Sequence, residues 1–533
     1  MRMPLAINYK LLSGILLAVT GFILFFRLGA APIYILDEAK NAQCAREMWL
    51  SGNWLVPTFN GVLRTDKPPL HYWFMCISYS LFGVGEWQAR LFSAVFGLGT
   101  IVAIFQFVKT RLDIKSAFFA ILPLCLSTHF LFEFRLAVPD PYLIFFTTLG
   151  LLWAYNYLQQ PALKTILLTA VWLSLAALAK GPVALALPGL VIIIYVLAFK
   201  AWNTLKPGWI ALAALVFVAI AVPWYVLVHR ATEGAFSEGF FLEHNLNRFS
   251  AEKEGHGGFF LLTPVMVLVG MLPLSILLFG PTAKIRAFFS QPLAAYGGIA
   301  VLVYVVFFSL SSTKLPNYPM PCYPMLSVVI GLYLSKYIQP LGRVPWYFWA
   351  VVLLVAWALP PGTFFALSFE ESTRSLAAIA WIILVLPILL TGSLVWYIRA
   401  QVSKASVLFV ITYAIFNFLA LDVLYPWAYR QNIVSRWLTT VSVGNAKFIG
   451  YKMYNPAFNF NLPAPYCFIP VYNHPDSLKA GFVARQKHEP GNTIYIVTRQ
   501  EYLGELDTVG FNTVIAGRDI FELPTTVVLT QRP

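Results

Sequence analysis

For most of its length the chain alternates long apolar runs with short polar breaks, as far as about Tyr425. Thirteen runs stand out, at 11–28, 88–108, 115–132, 139–157, 164–180, 181–199, 208–228, 259–280, 293–312, 320–338, 346–368, 376–398 and 405–425. Each has roughly the 17–25 residues that a helix needs to cross a bilayer. The pattern predicts a polytopic α-helical membrane protein. Lys180-Gly181-Pro182 divides the apolar stretch from 164 to 199, because Gly-Pro ends a helix at a tight turn. Two further helices are expected at the interface. Residues 38–51 form one, and 70–83, too short to cross, form the other. The second is aromatic and opens on Pro68-Pro69, whose fixed φ and missing N–H groups suit a first turn. Beyond about Val443 the pattern changes. Residues 493–498 and 525–530 read as strands and 476–484 as a short helix. The chain is thus expected to divide into a membrane part, 1–442, and a small α/β domain, 443–533, placed outside the membrane.

Composition sharpens this reading. Of 533 residues, 59% are hydrophobic and 11% charged, against about a quarter charged in an ordinary soluble domain. The formal charge of +14 would suit a nucleic-acid binder, but its distribution argues otherwise. With the N-terminus in the cytoplasm, one set of connectors carries Lys109, Arg111, Lys115, Lys164, Lys200, Lys206, Lys284, Arg286, Lys336, Arg343, Arg399 and Lys404, with Asp113 as their acid. That asymmetry is the positive-inside signature of membrane topology, so no nucleic-acid partner is expected. Leu28 stands where signal cleavage would need a small residue, and the first run is expected to stay as an anchor. Cys44, Cys76, Cys125, Cys322 and Cys467 show no ligand spacing and read as packing residues.

The same topology puts several polar clusters on the outer face. Asp37-Glu38 follows the first run, and acids there also suit the start of the 38–51 helix, where the helix dipole favours them. Thr65-Asp66-Lys67-Pro68-Pro69 sets an ammonium at a helix start, where it can hold a phosphate or simply snorkel to lipid headgroups. Asp140, between Pro139 and Pro141, either caps the next span or joins a site, since carboxylates at membrane depth are expensive. His244 and Arg248 are four apart on an expected helix, and Arg248 suits bidentate phosphate binding. Lys314 and Tyr318 occupy a further outer turn. Each signal is weak alone. Their gathering on one face is what a polyprenyl-phosphate sugar donor would demand. A transporter or flippase for such a lipid is the main rival, but it would carry its ionisable residues near the midplane of the spans.

These blocks resemble a known family. Asp37-Glu38-Ala39-Lys40-Asn41-Ala42-Gln43 with Asp66-Lys67-Pro68-Pro69-Leu70-His71-Tyr72-Trp73 is similar to the aminoarabinose transferases within the protein O-mannosyltransferase superfamily, which are GT-C glycosyltransferases. Leu178-Ala179-Lys180-Gly181-Pro182-Val183, the 243–249 segment, 307–311 and Lys314-Leu315-Pro316-Asn317-Tyr318 extend the likeness over the whole membrane region. The resemblance implies a bacterial inner-membrane enzyme with a GT-C fold of about thirteen spans and a periplasmic active site. It would invert a sugar's anomeric centre while moving it from a polyprenyl phosphate to lipid A, another surface glycan or a protein hydroxyl. It implies Asp37 as main catalytic carboxylate and Asp140 as a second acid. Lys67, Arg248, Tyr318 and Lys40 would hold the donor phosphate, with Glu38 and Lys314 in support. Asp66 and His244 would share a divalent ion, if one is used. Two departures from the family pattern bear on sugar and acceptor identity: Lys40 stands where many relatives have arginine, and Asp66 where the aminoarabinose enzymes usually have glutamate.

Overall fold

The computed structural model describes residues 8–246, 258–280, 285–339, 342–441, 446–488, 492–506 and 510–531. Helix dominates up to residue 441, and each of the thirteen apolar runs coincides with helical backbone. The first ten helices are α1 (Tyr9–Phe25), α2 (Leu36–Ser51), α3 (Leu70–Phe82), α4 (Glu86–Arg111), α5 (Ile114–Leu126), α6 (Thr128–Glu133), α7 (Asp140–Gln159), α8 (Leu163–Lys180), α9 (Val183–Phe199) and α10 (Pro207–Ala231). Among the described residues, seven helical stretches are long and apolar enough to cross a membrane: α4, α8, α10, Pro292–Leu310, Trp346–Phe369, Arg374–Ile398 and Val402–Tyr429. Three shorter apolar helices, α1, α5 and α9, accompany them. Exposed Leu215, Val218, Leu354 and Ile388 on these helices are what a bilayer would cover.

Close approach between spans follows from small residues. A Cβ on Gly331 would lie 2.4 Å from the Ala120 backbone, so helices Tyr323–Tyr333 and α5 meet nearly backbone to backbone. Both expected interfacial helices form. α2 ends at Gly52, whose φ of +69° is the left-handed stop that glycine supplies. Between α2 and α3 lies a hairpin, β1 (Thr58–Phe59) and β2 (Val62–Leu63). Its two-residue turn, Asn60-Gly61, takes positive φ at both positions, as such turns require.

The C-terminal part is an α/β unit. Its strands β3 (Ala446–Tyr451), β4 (Val471–Tyr472), β5 (Thr493–Arg499), β6 (Phe511–Arg518) and β7 (Thr525–Gln531) form one sheet in the order β4-β3-β5-β7-β6. β4, β3 and β5 are parallel, with helix Pro475–His488 as the crossover, while β7 and β6 pair antiparallel. The expected strands and helix are therefore present, joined by three strands that the sequence pattern did not reveal. This unit shares a core with the interfacial helices: Ile33, Met48 and Tyr79 pack in one cluster with Phe448, Phe458 and Val528. Polar ties reinforce the seat. Arg46 donates to the Leu462 carbonyl at 2.7 Å, Asn60 to that of Ile469 at 2.6 Å, and Asn461 to that of Ile33 at 3.0 Å.

Candidate active site

Asp37 and Glu38 open α2 side by side yet have opposite environments. Glu38 is fully buried and makes a bidentate pair with Arg90 of α4, at 2.7 and 2.9 Å. It also accepts the Ala137 N–H at 2.9 Å, tying α2 to the turn before α7. Asp37 points outward. Desolvation pushes its carboxyl up, but Lys67, then Arg64 and Lys40, outweigh that against the opposing charge of Asp66 and hold it below the usual carboxylate range. Asp37 is therefore an ionised group within the field of Lys67.

The hairpin sets the next group. Glu47 of α2 accepts from Asn60 N–H at 2.7 Å, Thr58 Oγ1 at 2.9 Å and Gly61 N–H at 3.1 Å, which pins the hairpin turn to the helix. From there the chain runs into Arg64, whose guanidinium grips both oxygens of Asp66 at 2.5 and 2.9 Å. Lys67 follows, 7% exposed, and makes no ion pair among the described residues. His71, in the first turn of α3, is fully buried, and burial together with Arg64 and Lys67 pushes its imidazole well below the usual histidine value.

Across the site, Asp140 begins α7 and is met by Lys180 from the end of α8 at 2.5 Å. The Lys180 ammonium also lies 5.1 Å from the centre of the Tyr318 ring. The turn that presents Lys180 needs glycine twice over: Gly181 has φ +83°, and a Cβ there would lie 2.6 Å from Phe240. Gly239 meets Thr65 in the same way, at 2.5 Å. The π-helical segment Gly239–Leu246 is thus wedged between the Lys67 and Lys180 turns, so the backbone of His244 lies on an element bordering both. The His244 side chain and Arg248 lie outside the described residues.

Not every expected residue takes the expected place. Glu38 is engaged in a structural pair. Lys314 donates to the carbonyls of Ser309 at 3.1 Å and Ser311 at 2.5 Å, closing its own turn. Lys40 is exposed and lies in the field of both Asp37 and Glu522 of the C-terminal unit. Two groups were missed. Lys180 stands out in the sequence only as part of the Lys180-Gly181-Pro182 break. Glu133, ending α6, is 5% exposed and within electrostatic range of Asp140, Lys180 and Asp37. The signal for both was available: a charged residue closing an apolar helix beside a site motif. For the divalent ion, Asp66 already has both oxygens on Arg64, so a metal would have to displace that guanidinium. No group of three His, Cys, Asp or Glu side chains among the described residues is placed to ligate one. The His244 side chain lies outside the described residues, and no step below depends on a metal cation.

Asp37, Asp66, Lys67, Asp140 and Tyr318 therefore belong to one electrostatically connected cluster at the ends of apolar helices. Over residues 66–227 the chain matches the model of the dolichyl-phosphate-mannose-protein mannosyltransferases. A protein of Aquifex aeolicus is 34% identical over 322 residues, covering 60% of this chain and 73% of that one. The undecaprenyl phosphate-alpha-4-amino-4-deoxy-L-arabinose arabinosyl transferase of Pseudomonas paraeruginosa is 30% identical over 331 residues, 61% of this chain and 60% of its own length. The chain thus spans less than two thirds of that named transferase. In three dimensions it is similar to ArnT from Cupriavidus metallidurans, solved bound to undecaprenyl phosphate, with a TM-score of 0.79, 22% identity, and coverage of 99% of this chain and 100% of the other. Fold and sequence define a multi-pass membrane glycosyltransferase of the GT-C class. Within that class the chain is ArnT-like, and its residues 66–227 match the dolichyl-phosphate-mannose-protein mannosyltransferase model.

Proposed function

We propose that this protein moves a sugar from a polyprenyl-phosphate donor to lipid A or another cell-envelope acceptor, inverting the anomeric centre, at the periplasmic face of the inner membrane. In this reading all thirteen helical runs cross the membrane, and the 443–533 unit stands outside it. The observation that carries the proposal is an exposed, ionised Asp37 in the field of a buried Lys67 that makes no direct ion pair among the described residues. A buried ammonium with no carboxylate in contact is poorly compensated, and a phosphodiester can supply the close partner. Arg248 and Tyr318 complete the phosphate grip in this proposal, and Lys40 guards the approach.

A polyprenyl phosphate is already a competent leaving group, so neutralising its charge matters more than protonating it. With a hydroxyl acceptor, Asp37 takes the proton, a role worth about 10²–10⁴-fold in rate. With a phosphate acceptor no base is needed, and Asp37 stabilises positive charge developing on the sugar. Asp140, held by Lys180, lines the sugar side. The test is mass spectrometry of lipid A and surface glycans from cells with and without the protein. A sugar-sized mass lost from one acceptor class on deletion is expected; identical envelopes would overturn the proposal.

A further inference from the structure

We infer that the loop joining β6 to β7, residues 519–524, is a membrane-inserting tip that seats the C-terminal unit in the headgroup boundary of the bilayer. Its level is set by two contacts. The Phe521 N–H donates to Glu370 Oε2 at 3.2 Å, and the Phe521 ring lies 6.3 Å from that of Tyr429. Glu370 directly follows the apolar helix Trp346–Phe369, and Tyr429 is the last residue of the stretch Val402–Tyr429. The tip therefore sits where two spans leave the hydrocarbon.

At that level the loop shows apolar side chains outward. Leu523 is 88% and Phe521 50% exposed, and Phe369, at the end of its span, is 79% exposed. Several of its backbone groups and the Asp519 carboxylate are tied inward. The Asp519 N–H donates to the Pro524 carbonyl at 2.9 Å, the Glu522 N–H to the Asp519 carbonyl at 3.0 Å, and Arg518 Nε to the Glu522 carbonyl at 2.7 Å. The Asp519 carboxylate is held by Arg499, Asn455 and Thr526 inside the unit. Such internal satisfaction suits a segment that borders the hydrocarbon, where water is no longer available to backbone groups. Phe521 also has φ +58°, a left-handed conformation that a bulky residue rarely adopts and that recurs where a shape is kept for function. The partner is lipid, by continuity with the two spans. Glu522 shares the field of Lys40 with Asp37, which places the tip beside the approach to the site.

The inference rests on the membrane spans and not on the transfer reaction, so the two fail separately. The test uses the full chain in phosphatidylcholine–phosphatidylglycerol nanodiscs, with Leu523→Cys carrying a polarity-sensitive fluorophore. All five native cysteines are buried, which keeps labelling selective. Phe369→Cys serves as the span-end reference, and Ala480→Cys, exposed on helix Pro475–His488, as the control. Lipids brominated near the headgroup should quench the probe at 523 several-fold more than at 480, and to the level at 369. Quenching no greater than at 480 would overturn the inference. So would dry, unquenched emission at 523, which would mean that a second copy of the chain or another protein covers the tip.

Discussion

Neighbouring acids with opposite duties give the sharpest test of the site. Glu38 and Arg90 are both buried, and the guanidinium makes four hydrogen bonds: two to Glu38, one to the Leu28 carbonyl at 3.0 Å and one to that of Ala31 at 2.7 Å. Glu38→Gln keeps the shape but leaves Arg90 as an uncompensated buried charge, which costs about 3–5 kcal/mol. Asp37→Asn changes an exposed group with no direct ion pair among the described residues, so its cost to stability should be much smaller than that of Glu38→Gln. Catalysis should invert the order, with Asp37→Asn losing about 10²–10⁴ in transfer rate if it acts as base. The assay is thermal unfolding of both variants in detergent beside single-turnover sugar transfer. One kcal/mol shifts the midpoint by about 2–4 °C in domains of 150–250 residues and by less in a larger one, so Glu38→Gln should fall visibly and Asp37→Asn should not. Glu38→Met with Arg90→Met should cost less than the sum of the two single changes, because an apolar pair replaces a charge pair. A Glu38→Gln protein as stable as the parent, or additive single changes, would refute the reasoning.

Further outcomes follow from other parts of the structure. Lys67→Ala removes a charge-assisted contact worth about 1.5–3 kcal/mol, so affinity for a polyprenyl phosphate, read by calorimetry in detergent, should drop by roughly one to two decades; unchanged affinity would remove Lys67 from the phosphate site. Gly181→Ala combines a positive φ with a Cβ 2.6 Å from Phe240, so it should lower the unfolding midpoint, and a neutral result would contradict the wedge between the two turns. Asp37 has a depressed folded pKa, so its stabilising contribution is present above the unfolded value of about 3.9 and is lost as pH falls through the lower folded value. Transfer that depends on ionised Asp37 should therefore stay level from neutral pH down to about pH 5, and an acid limb near neutrality would contradict the assignment. Glu522 runs the other way: burial first, then Asp519, pushes it up to about 7. Folding loses stability as pH rises from its unfolded value of about 4.3 through that point, so Glu522→Gln should raise the midpoint at pH 8 and leave it unchanged at pH 4.

The helices were legible because apolar runs of membrane length have few other readings, and the two interfacial helices declared themselves through their acids and prolines. The split between Asp37 and Glu38 was not. Both suit a helix start, and only the distant Arg90, 52 positions from Glu38, decides which one is buried. Lys67 and Asp140 were legible as candidates, but the partner of Asp140 lies on another helix, and Lys180 read as punctuation before Gly181-Pro182. Lys314 looked like a cation available to a ligand, yet two carbonyls of its own turn satisfy it. In the C-terminal unit, β6 went unseen because it is a bulged edge strand with mostly exposed positions, so no apolar alternation marks it. β3 hid for the opposite reason, being buried along nearly its whole length.

Transfer measured with purified components decides whether Asp37 carries the reaction. The parent protein and Asp37→Asn would be placed in lipid nanodiscs with an undecaprenyl-phosphate-linked sugar and lipid A, and the acceptor's mass followed over time. A sugar added by the parent is expected, and none by Asp37→Asn although that variant still binds undecaprenyl phosphate. Equal transfer by both proteins, or loss of transfer together with loss of undecaprenyl phosphate binding, would contradict that role for Asp37.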